Sequence, residues 1–227
     1  MVVTSNRVDV EIDKKEVGHY MGYDGDYKLS PRISSLIDDY IESAHYLIEP
    51  SYSYVIKDVE QVQGSICAVE GSIIFKSRNI ARVLEHCPKV AVFLVTIGSH
   101  LEEESHRLAQ DGLILHATAM DAIGSAAVEE VIGFVQSRIE EMAGAQGLVS
   151  SRRFSPGYCD WDITQQEALF RIVSGGAVGV RLTERFLMIP QKSVSGVIGL
   201  GPPDGNVANY NPCKTCKKYD CPSRRIG

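Results

Sequence analysis

Residues 152–158, with the sequence RRFSPGY, combine a turn with side chains that suit a small charged ligand. A Pro-Gly pair favours a tight turn, which exposes backbone amide and carbonyl groups near Ser155 and Gly157. Arg153, just before the turn, offers a guanidinium fork for a carboxylate, and Tyr158, just after it, offers a ring with a hydroxyl group. On these residues alone, a ligand-binding loop and an ordinary turn are both open interpretations.

A second group of reactive side chains lies near the end of the sequence, where Cys213, Cys216 and Cys221 occur within nine residues. Three thiolates spaced C-x2-C-x4-C can close on one metal ion or cluster, and Cys159, beside the ligand loop, is the candidate for a fourth ligand. The basic residues around these thiols, which would offset their negative charge, are Lys214, Lys217, Lys218, Arg224 and Arg225. An iron–sulfur cluster, a zinc ion and thiols without a metal all stay open as interpretations.

Two glycine-rich stretches, at residues 174–179 and 199–201, resemble phosphate-binding loops only superficially. A dinucleotide-binding loop follows a strand and opens a helix, and neither stretch fits that context; the Gly-Lys-Ser/Thr of a P-loop is missing as well. We therefore interpret both stretches as turns, which argues against a doubly wound nucleotide-binding fold. The six histidines show no metal-binding spacing such as His-Glu-x-x-His.

Composition and charge narrow the class of protein. With 227 residues, of which 44% are hydrophobic and 23% charged, the chain can bury a substantial core and does not have a disordered composition. A net charge of −6 argues against nucleic-acid binding, which favours a basic surface. No apolar run is long enough to span a membrane, and residues 1–13 lack the apolar stretch of a signal peptide. We therefore expect a soluble cytoplasmic protein with reduced cysteines.

Hydrophobic patterns predict the elements that position these residues. Alternating or continuous apolar residues predict strands at residues 8–12, 52–59, 65–69, 72–75, 89–97, 178–183, 186–189 and 194–200. Residues 147–156 are predicted to contain a short strand that leads into a turn. Apolar stripes with helical spacing predict helices at residues 31–47, 77–85, 101–110, 113–142 and 164–173. We predict one α+β domain over residues 1–201, followed by a cysteine-bearing tail over residues 202–227, where Gly, Pro, Asn, Lys and Cys dominate.

Several segments, in one order, resemble the activation domain of vitamin B12-dependent methionine synthase. Residues 153–158 are similar to the family's Arg-x-x-x-Gly-Tyr loop, which binds adenosylmethionine. Residues 182–188 (LTERFLM) and 193–196 (SVSG) are similar to its Leu-Thr-Glu-Ser-Phe-Ala-Met and Ser-Val-Ser-Gly segments. Upstream, residues 95–98 (VTIG) and the long helix with Glu129 correspond to a Val-Thr-x-Gly strand end and a glutamate-bearing helix.

The resemblance, which covers about residues 90–200, implies one α+β domain with a mainly antiparallel twisted sheet, flanking helices and an adenosylmethionine site. In that site a carboxylate would suit the ammonium group or the ribose hydroxyls, and an arginine would suit the carboxylate. A tyrosine could lie against the sulfonium or adenosyl group. The residues that would contact the ligand are Glu129, Arg153, Ser155, Gly157, Tyr158 and Tyr210.

The resemblance also implies a function. When the cobalamin of a methyltransferase is oxidised accidentally to cob(II)alamin, one electron and the methyl group of adenosylmethionine restore methylcobalamin. The Asp-x-His-x-x-Gly signature of cobalamin-binding modules is missing from this sequence. We therefore expect a stand-alone protein that acts on cobalamin carried by a partner, with an electron donor such as flavodoxin or ferredoxin. An iron–sulfur cluster in the tail could relay that electron.

Two other functions stay open. The chain could be the activation subunit of a split cobalamin-dependent methionine synthase, assembled with separate corrinoid and homocysteine modules. It could also be a non-catalytic module that senses a metal or a ligand through the cysteine tail. The sequence leaves the first 80 or so residues without a functional role beyond structure.

Overall fold

The computed structural model describes residues 2–23, 29–173, 175–205 and 207–214, and this part of the chain contains nine strands and six α-helices. The strands are β1 (Val2–Ser5), β2 (Ser51–Gln63), β3 (Ile66–Val69), β4 (Ile73–Lys76), β5 (Lys89–Thr96), β6 (Val149–Phe154), β7 (Arg181–Leu182), β8 (Met188–Ile189) and β9 (Ser193–Gly201). The helices are α1 (Lys14–Tyr20), α2 (Pro31–Ala44), α3 (Arg78–Leu84), α4 (His100–Gln110), α5 (Ile114–Gly144) and α6 (Gln166–Ile172).

Seven strands form one sheet with the order β4-β3-β2-β5-β9-β6, and β1 joins it by pairing with β2. The pairs within this sheet are antiparallel. β1 pairs with the first half of β2, and β3 pairs with its second half. The short strands β7 and β8 form a separate ribbon. The structure therefore confirms the predicted α+β fold with a mainly antiparallel sheet, and it puts β6 at an edge.

The middle of the central strand β5, residues 90–95, is apolar because both of its faces are covered. Successive side chains of a strand point to opposite faces, so a strand that is covered on both faces is expected to be apolar at consecutive positions. One hydrophobic cluster contains Ala91, Phe93 and Val95, and the other contains Val90, Val92 and Leu94. Burial of each of the larger side chains stabilises the fold by about 1.5–3 kcal/mol.

Helices cover the two faces of the sheet unequally. α5 lies directly on one face, where it contacts β2, β5, β6 and β9, and α1, α2 and α4 pack against α5. The shorter helices α3 and α6 cover the opposite face. Among the described residues, no helix is long and apolar enough to cross a membrane.

Two of the predicted strands are wrong in part or in full. Val8, Val10 and Ile12 do pack against the core while their neighbours are exposed, yet residues 8–12 pair with no strand in the described part of the chain. Alternation reports which side chains face the core and says nothing about whether the backbone finds a partner. Residues 175–178 form a 3₁₀ helix, so that only Arg181–Leu182 of the predicted strand 178–183 pairs.

The prediction of a turn at residues 199–201 is also wrong, because this stretch is the end of β9. The glycines are required there by close packing. A β-carbon at Gly199 would lie 2.8 Å from the Cys87 sulfur, and one at Gly201 would lie 2.6 Å from the carbonyl oxygen of His86. The segment that follows α3 therefore rests directly on the backbone of β9.

Candidate ligand-binding site at the edge of the sheet

An ion pair between Glu129 and Arg153 joins the middle of α5 to the edge strand β6. The guanidinium Nη2 of Arg153 donates a hydrogen bond to Oε2 of Glu129. In the ladder Arg153 lies opposite Ile198, whose side chain belongs to the cluster beneath α5, and this register directs Arg153 to the α5 face. The side chains are 24% (Arg153) and 40% (Glu129) exposed, so the pair is open to solvent.

The structure distinguishes Glu129 from its neighbour. Glu129 is half-buried and bonded to Arg153, whereas Glu130 is exposed on the next position of the helix. The fold thus brings together Glu129 and Arg153, which are 24 positions apart in the chain and which the sequence predicts to contact the ligand.

The loop after β6 is held by the buried residue Trp161. The backbone N–H of Gly157 donates to the carbonyl oxygen of Trp161 at 2.7 Å, and that of Trp161 donates to the carbonyl oxygen of Tyr158 at 3.0 Å. The indole is 2% exposed and meets the ring of Phe75 edge-on, with 5.5 Å between centroids. The N–H of Gly157 is therefore used inside the loop.

Gly157 has a φ of +93°, a conformation that residues with a β-carbon rarely adopt. A β-carbon at this position would also lie 3.3 Å from Cδ1 of Ile163. The expected turn is therefore present, and its geometry depends on glycine.

Close packing of Ser155 on β9 gives a physical reason for the Ser-Val-Ser-Gly segment. A β-carbon at Gly196 would lie 2.5 Å from the carbonyl oxygen of Phe154 and 3.0 Å from Oγ of Ser155. The glycine therefore lets the start of the loop lie directly on the neighbouring strand. Next to it, the buried hydroxyl of Ser195 donates a hydrogen bond to Oε1 of Gln166 at the start of α6.

Tyr158 and Tyr20 are two partly exposed tyrosines near the ion pair, with exposed fractions of 56% and 43%. Burial is the largest cause that raises the pKa of Tyr20. The negative charge of Glu129 and the neighbouring Tyr158 also raise this pKa, whereas the positive charge of Arg153 lowers it. Tyr20 is the last residue of α1, which packs on α5, the helix that carries Glu129.

Sequence reasoning missed Tyr20 because it missed the helix that carries it. α1 has only seven residues, too few for a clear apolar stripe. One signal was present in the sequence: Asp13 caps the helix by accepting a hydrogen bond from the N–H of Lys15, and aspartate is a common residue at this position. α1 packs on α5, and this contact brings the N-terminal part of the chain to the site.

Asp160 fastens the second half of the loop to the start of α3. Its carboxylate accepts hydrogen bonds from the Ser77 hydroxyl (2.7 Å), the Asn79 side-chain amide (2.7 Å), and the backbone N–H groups of Arg78 (2.8 Å) and Asn79 (3.3 Å). Burial disfavours the charged form, but these hydrogen bonds outweigh it and lower the pKa of Asp160 to about 2. The carboxylate is therefore ionised at neutral pH and holds the loop as an anion.

Tyr210 lies on the opposite face of the edge strand from Glu129 and Arg153. Its ring contacts Phe154, with 6.2 Å between centroids, and its hydroxyl donates to Oδ1 of Asn79 at 3.0 Å. Both rings pack against the hydrophobic cluster on the α3 side of the sheet. The structure therefore does not bring Tyr210 together with the ion pair, and its role as a ligand residue stays a prediction.

The predicted metal ligands are only partly within the described residues. Cys159 is exposed, directly after Tyr158, and has a φ of +54°. Cys213 is half-buried in the 3₁₀ helix Pro212–Lys214, and Cys216 and Cys221 lie outside the described residues. Within the part of the chain that the structure describes, no three His, Cys, Asp or Glu side chains are placed to hold a metal ion. The metal site stays a prediction.

A pocket of about 750 Å³ lies on the α3 side, between the end of α3 and residues 202–210. Arg82, Glu85, His86, Asp204 and Tyr210 are among the residues that line it. It does not include Glu129 or Arg153, which lie at an open surface on the other face of β6.

Comparisons with known proteins decide the family. The family model described as the activation domain of vitamin B12 dependent methionine synthase matches residues 83–211, more than half of the chain. The chain belongs to this family. The match confirms the resemblance drawn from the sequence motifs, and it includes Glu129, Arg153, Tyr158 and Tyr210. Tyr20 and the three tail cysteines lie outside it.

A solved structure described as the MetH reactivation domain bound to AdoHcy has the same fold as this activation-domain chain. The two superpose with a TM-score of 0.67 at 16% sequence identity, over 89% of this chain and 79% of the other. At this identity the likeness establishes the fold. A search of curated proteins finds no match.

Proposed function

We propose that this activation-domain chain binds adenosylmethionine at the Glu129–Arg153 pair and supports the remethylation of a corrinoid carried by a partner protein. The observation that carries the proposal is the ion pair itself, because it joins two residues of the family's motifs at an open edge of the sheet. Family membership supports the reaction, and the AdoHcy in the structural neighbour is adenosylmethionine without its methyl group.

The charges of the ion pair fit the two ends of the ligand's amino-acid group. Adenosylmethionine has a carboxylate, which suits Arg153, and an ammonium group and ribose hydroxyls, which suit Glu129. On binding, each residue would exchange its protein partner for a ligand partner. A half-exposed ion pair contributes about 1 kcal/mol or less, whereas a hydrogen bond to a charged group contributes about 1.5–3 kcal/mol. The exchange therefore favours the complex.

The open position of the site suits methyl transfer between two proteins. Adenosylmethionine would supply the methyl group and leave as AdoHcy, while one electron from a donor such as flavodoxin or ferredoxin balances the conversion of cob(II)alamin to methylcobalamin. A site that serves cobalt in another protein has to leave the methyl group accessible, and Tyr158 and Tyr20 are both partly exposed. The chain's own contribution is to hold the ligand in one orientation.

Calorimetry with adenosylmethionine and AdoHcy tests the binding step. We expect saturable binding of both ligands, and lower affinity in Glu129→Gln than in the matched control Glu130→Gln, which changes the exposed neighbour. Absence of binding at millimolar ligand would contradict the proposal.

The transfer step needs a separate test, with a purified cobalamin-binding protein, adenosylmethionine and a reductant. We expect the absorption spectrum of methylcobalamin to appear only when the chain is present. Co-purification with corrinoid and homocysteine-binding modules would identify the chain as a subunit of a split methionine synthase. Ligand binding without any methyl transfer would favour a sensing module.

A further inference from the structure

We propose that Asp121, held in place by Lys192, binds the ribose hydroxyls of adenosylmethionine, a subsite that rests on the proposed function. In that function the amino-acid group of the ligand lies at Glu129 and Arg153, and the ribose would then extend along α5 toward the start of the helix. The subsite takes a vicinal diol. Neither of its two residues belongs to the motifs that carry the family resemblance.

A second ion pair, between Lys192 and Asp121, lies on α5 close to the Glu129–Arg153 pair. Nζ of Lys192 is 2.8 Å from Oδ1 of Asp121, and it donates a hydrogen bond to Oγ of Ser125 at 2.9 Å. Asp121, Ser125 and Glu129 follow one another at intervals of four residues, so they lie on the same side of the helix, one turn apart. Lys192 and Arg153 therefore reach neighbouring turns of α5, and the charged groups form one row.

The position of Lys192 is fixed by its surroundings. A β-carbon at Gly124 would lie 3.2 Å from Cε and 3.3 Å from Cγ of Lys192, so the helical glycine leaves room for the lysine stem. The carbonyl oxygen of Lys192 accepts from the N–H of Ile97 at 3.2 Å, and the N–H of Gln191 donates to Oε2 of Glu102 at 2.7 Å. With its side chain 14% exposed, Lys192 holds its ammonium group on α5.

Asp121 is the half of the second pair that faces solvent. Its side chain is 61% exposed. A carboxylate has about four acceptor positions, so one lysine leaves capacity for a ligand, and carboxylates are common partners of ribose hydroxyls in nucleotide sites. The charges of Lys192 and Asp121 cancel, so the pair as a whole does not repel the positively charged sulfonium. Asp121 is therefore suited to bind the diol, and Lys192 acts as its positioning residue.

The spacing of the two carboxylates matches the length of the ligand. Asp121 and Glu129 are eight residues apart, which is about 12 Å along the helix axis. In adenosylmethionine six bonds separate the α-carbon of the amino acid from C3′ of the ribose, about 7–8 Å when extended. A hydrogen bond of about 3 Å at each end brings the reach to roughly 13 Å. One ligand can therefore contact both carboxylates, with Glu129 binding the ammonium group.

A double-mutant cycle between the protein and the ligand tests the ribose subsite. Calorimetry measures the affinities of wild type and Asp121→Ala for AdoHcy and for its 2′-deoxy and 3′-deoxy analogues. In the wild type we expect loss of at least one hydroxyl to weaken binding about tenfold or more, because the hydroxyl donates to a charged group. In Asp121→Ala the same loss should cost less than about threefold, since the partner is gone. Equal costs in the two proteins would overturn the subsite.

Two further variants separate the subsite from a general effect of charge. Glu141→Ala removes an exposed carboxylate near the end of α5 that pairs with Arg138, and it should keep the wild-type affinity and the preference for both hydroxyls. Lys192→Met should reduce that preference at least about threefold, because Asp121 loses the group that holds it. Circular dichroism shows that each variant is folded. An unchanged preference in folded Lys192→Met would contradict the positioning role of Lys192.

The outcomes for the subsite and for the proposed function differ. AdoHcy binding that is weakened by Glu129→Gln but is the same in Asp121→Ala as in the wild type would overturn the ribose subsite and leave the proposed function in place. Absence of AdoHcy binding to the wild type would overturn both. Weaker binding in both variants, with the preference for the hydroxyls lost only in Asp121→Ala, is the result that we expect.

Discussion

The two sides of the loop after β6 differ in how firmly they are held. On the α5 side, Arg153 and Glu129 are partly exposed and joined by one ion pair. On the α3 side, Asp160 accepts four hydrogen bonds from the start of α3. A weak contact between charges is suitable for exchange with a ligand, whereas several hydrogen bonds to one carboxylate are suitable for anchoring. Substitutions on the two sides should therefore affect different properties.

The largest effect is expected for Arg153→Ala on the α5 side. Loss of a charge-assisted pair with the ligand should weaken adenosylmethionine binding by about 1.5–3 kcal/mol, or roughly 10- to 150-fold in Kd. Thermal stability should change little because the ion pair is half-exposed. Calorimetry measures the affinity, with Arg152→Ala as the matched control. Unchanged affinity in a folded Arg153→Ala protein would remove Arg153 from the site.

Asp160→Ala on the α3 side should reduce stability more than ligand affinity, the reverse of Arg153→Ala. Removal of a carboxylate that accepts hydrogen bonds from the first turn of a helix should lower the free energy of unfolding by about 2 kcal/mol. Urea unfolding measures the loss, and Asp39→Ala on the exposed surface of α2 is the control. We expect adenosylmethionine affinity to fall by much less than in Arg153→Ala. A larger loss of binding than of stability would mean that the α3 side also contacts the ligand.

The same carboxylate predicts a dependence of stability on pH. The pKa of Asp160 is lowered in the folded state, so its contribution is present above the unfolded pKa of about 4 and is lost as the pH falls through about 2. Unfolding free energies of the wild type and Asp160→Asn, measured between pH 5 and pH 2, should converge toward the acid end. If the two unfolding free energies differed by the same amount at every pH in this range, the lowered pKa of Asp160 in the folded state would be contradicted.

Gly157→Val tests the turn between the two sides. A β-branched residue at φ +93° should cost on the order of 1 kcal/mol in stability, because the left-handed conformation is unfavourable for it. We expect ligand affinity to fall by more than this, since the new side chain also crowds the ligand loop. Differential scanning calorimetry and binding calorimetry give the two losses. Equal losses of stability and of ligand affinity would mean that the turn has only a structural role.

The smallest effect is expected for Tyr20→Ala. An aromatic ring near an exposed cation contributes about 0.5–1 kcal/mol, so adenosylmethionine affinity should fall about two- to fivefold. Tyr46→Ala, which removes an exposed tyrosine after α2, should leave the affinity unchanged. Equal affinities in the two variants would mean that Tyr20 does not contribute to ligand binding.

The sequence was most informative where one residue type is required by local geometry. The Pro-Gly turn, the long helix over 113–142 and the apolar strand over 89–97 could all be predicted, and the structure places them within a few residues. Each has a strong local signal: a required φ, a sustained apolar stripe, or continuous burial. The pairing of Glu129 rather than Glu130 with Arg153 could not be read from spacing, because it depends on how α5 is rotated on the sheet.

Contacts that depend on distant parts of the chain were the ones that sequence patterns missed. The short helix α1, with Tyr20 at its end, is stabilised by packing on α5, and its own sequence carries little helical signal. The position of Tyr210 on the α3 face depends on Asn79, 131 residues earlier in the chain. No local pattern contains such information.

The edge position of β6 has a consequence for amide hydrogen exchange. Among the described strands, β6 is bonded to the sheet through β9 alone, whereas β5 is bonded to β2 and to β9. Local opening of an edge strand exposes its amides at a lower free energy than opening of a central strand, so β6 should exchange well before β5. A ligand that bridges α5 and the loop after β6 would raise the cost of that opening. Slower deuterium uptake in β6 alone would therefore report occupancy of the site, residue by residue, without any catalytic assay.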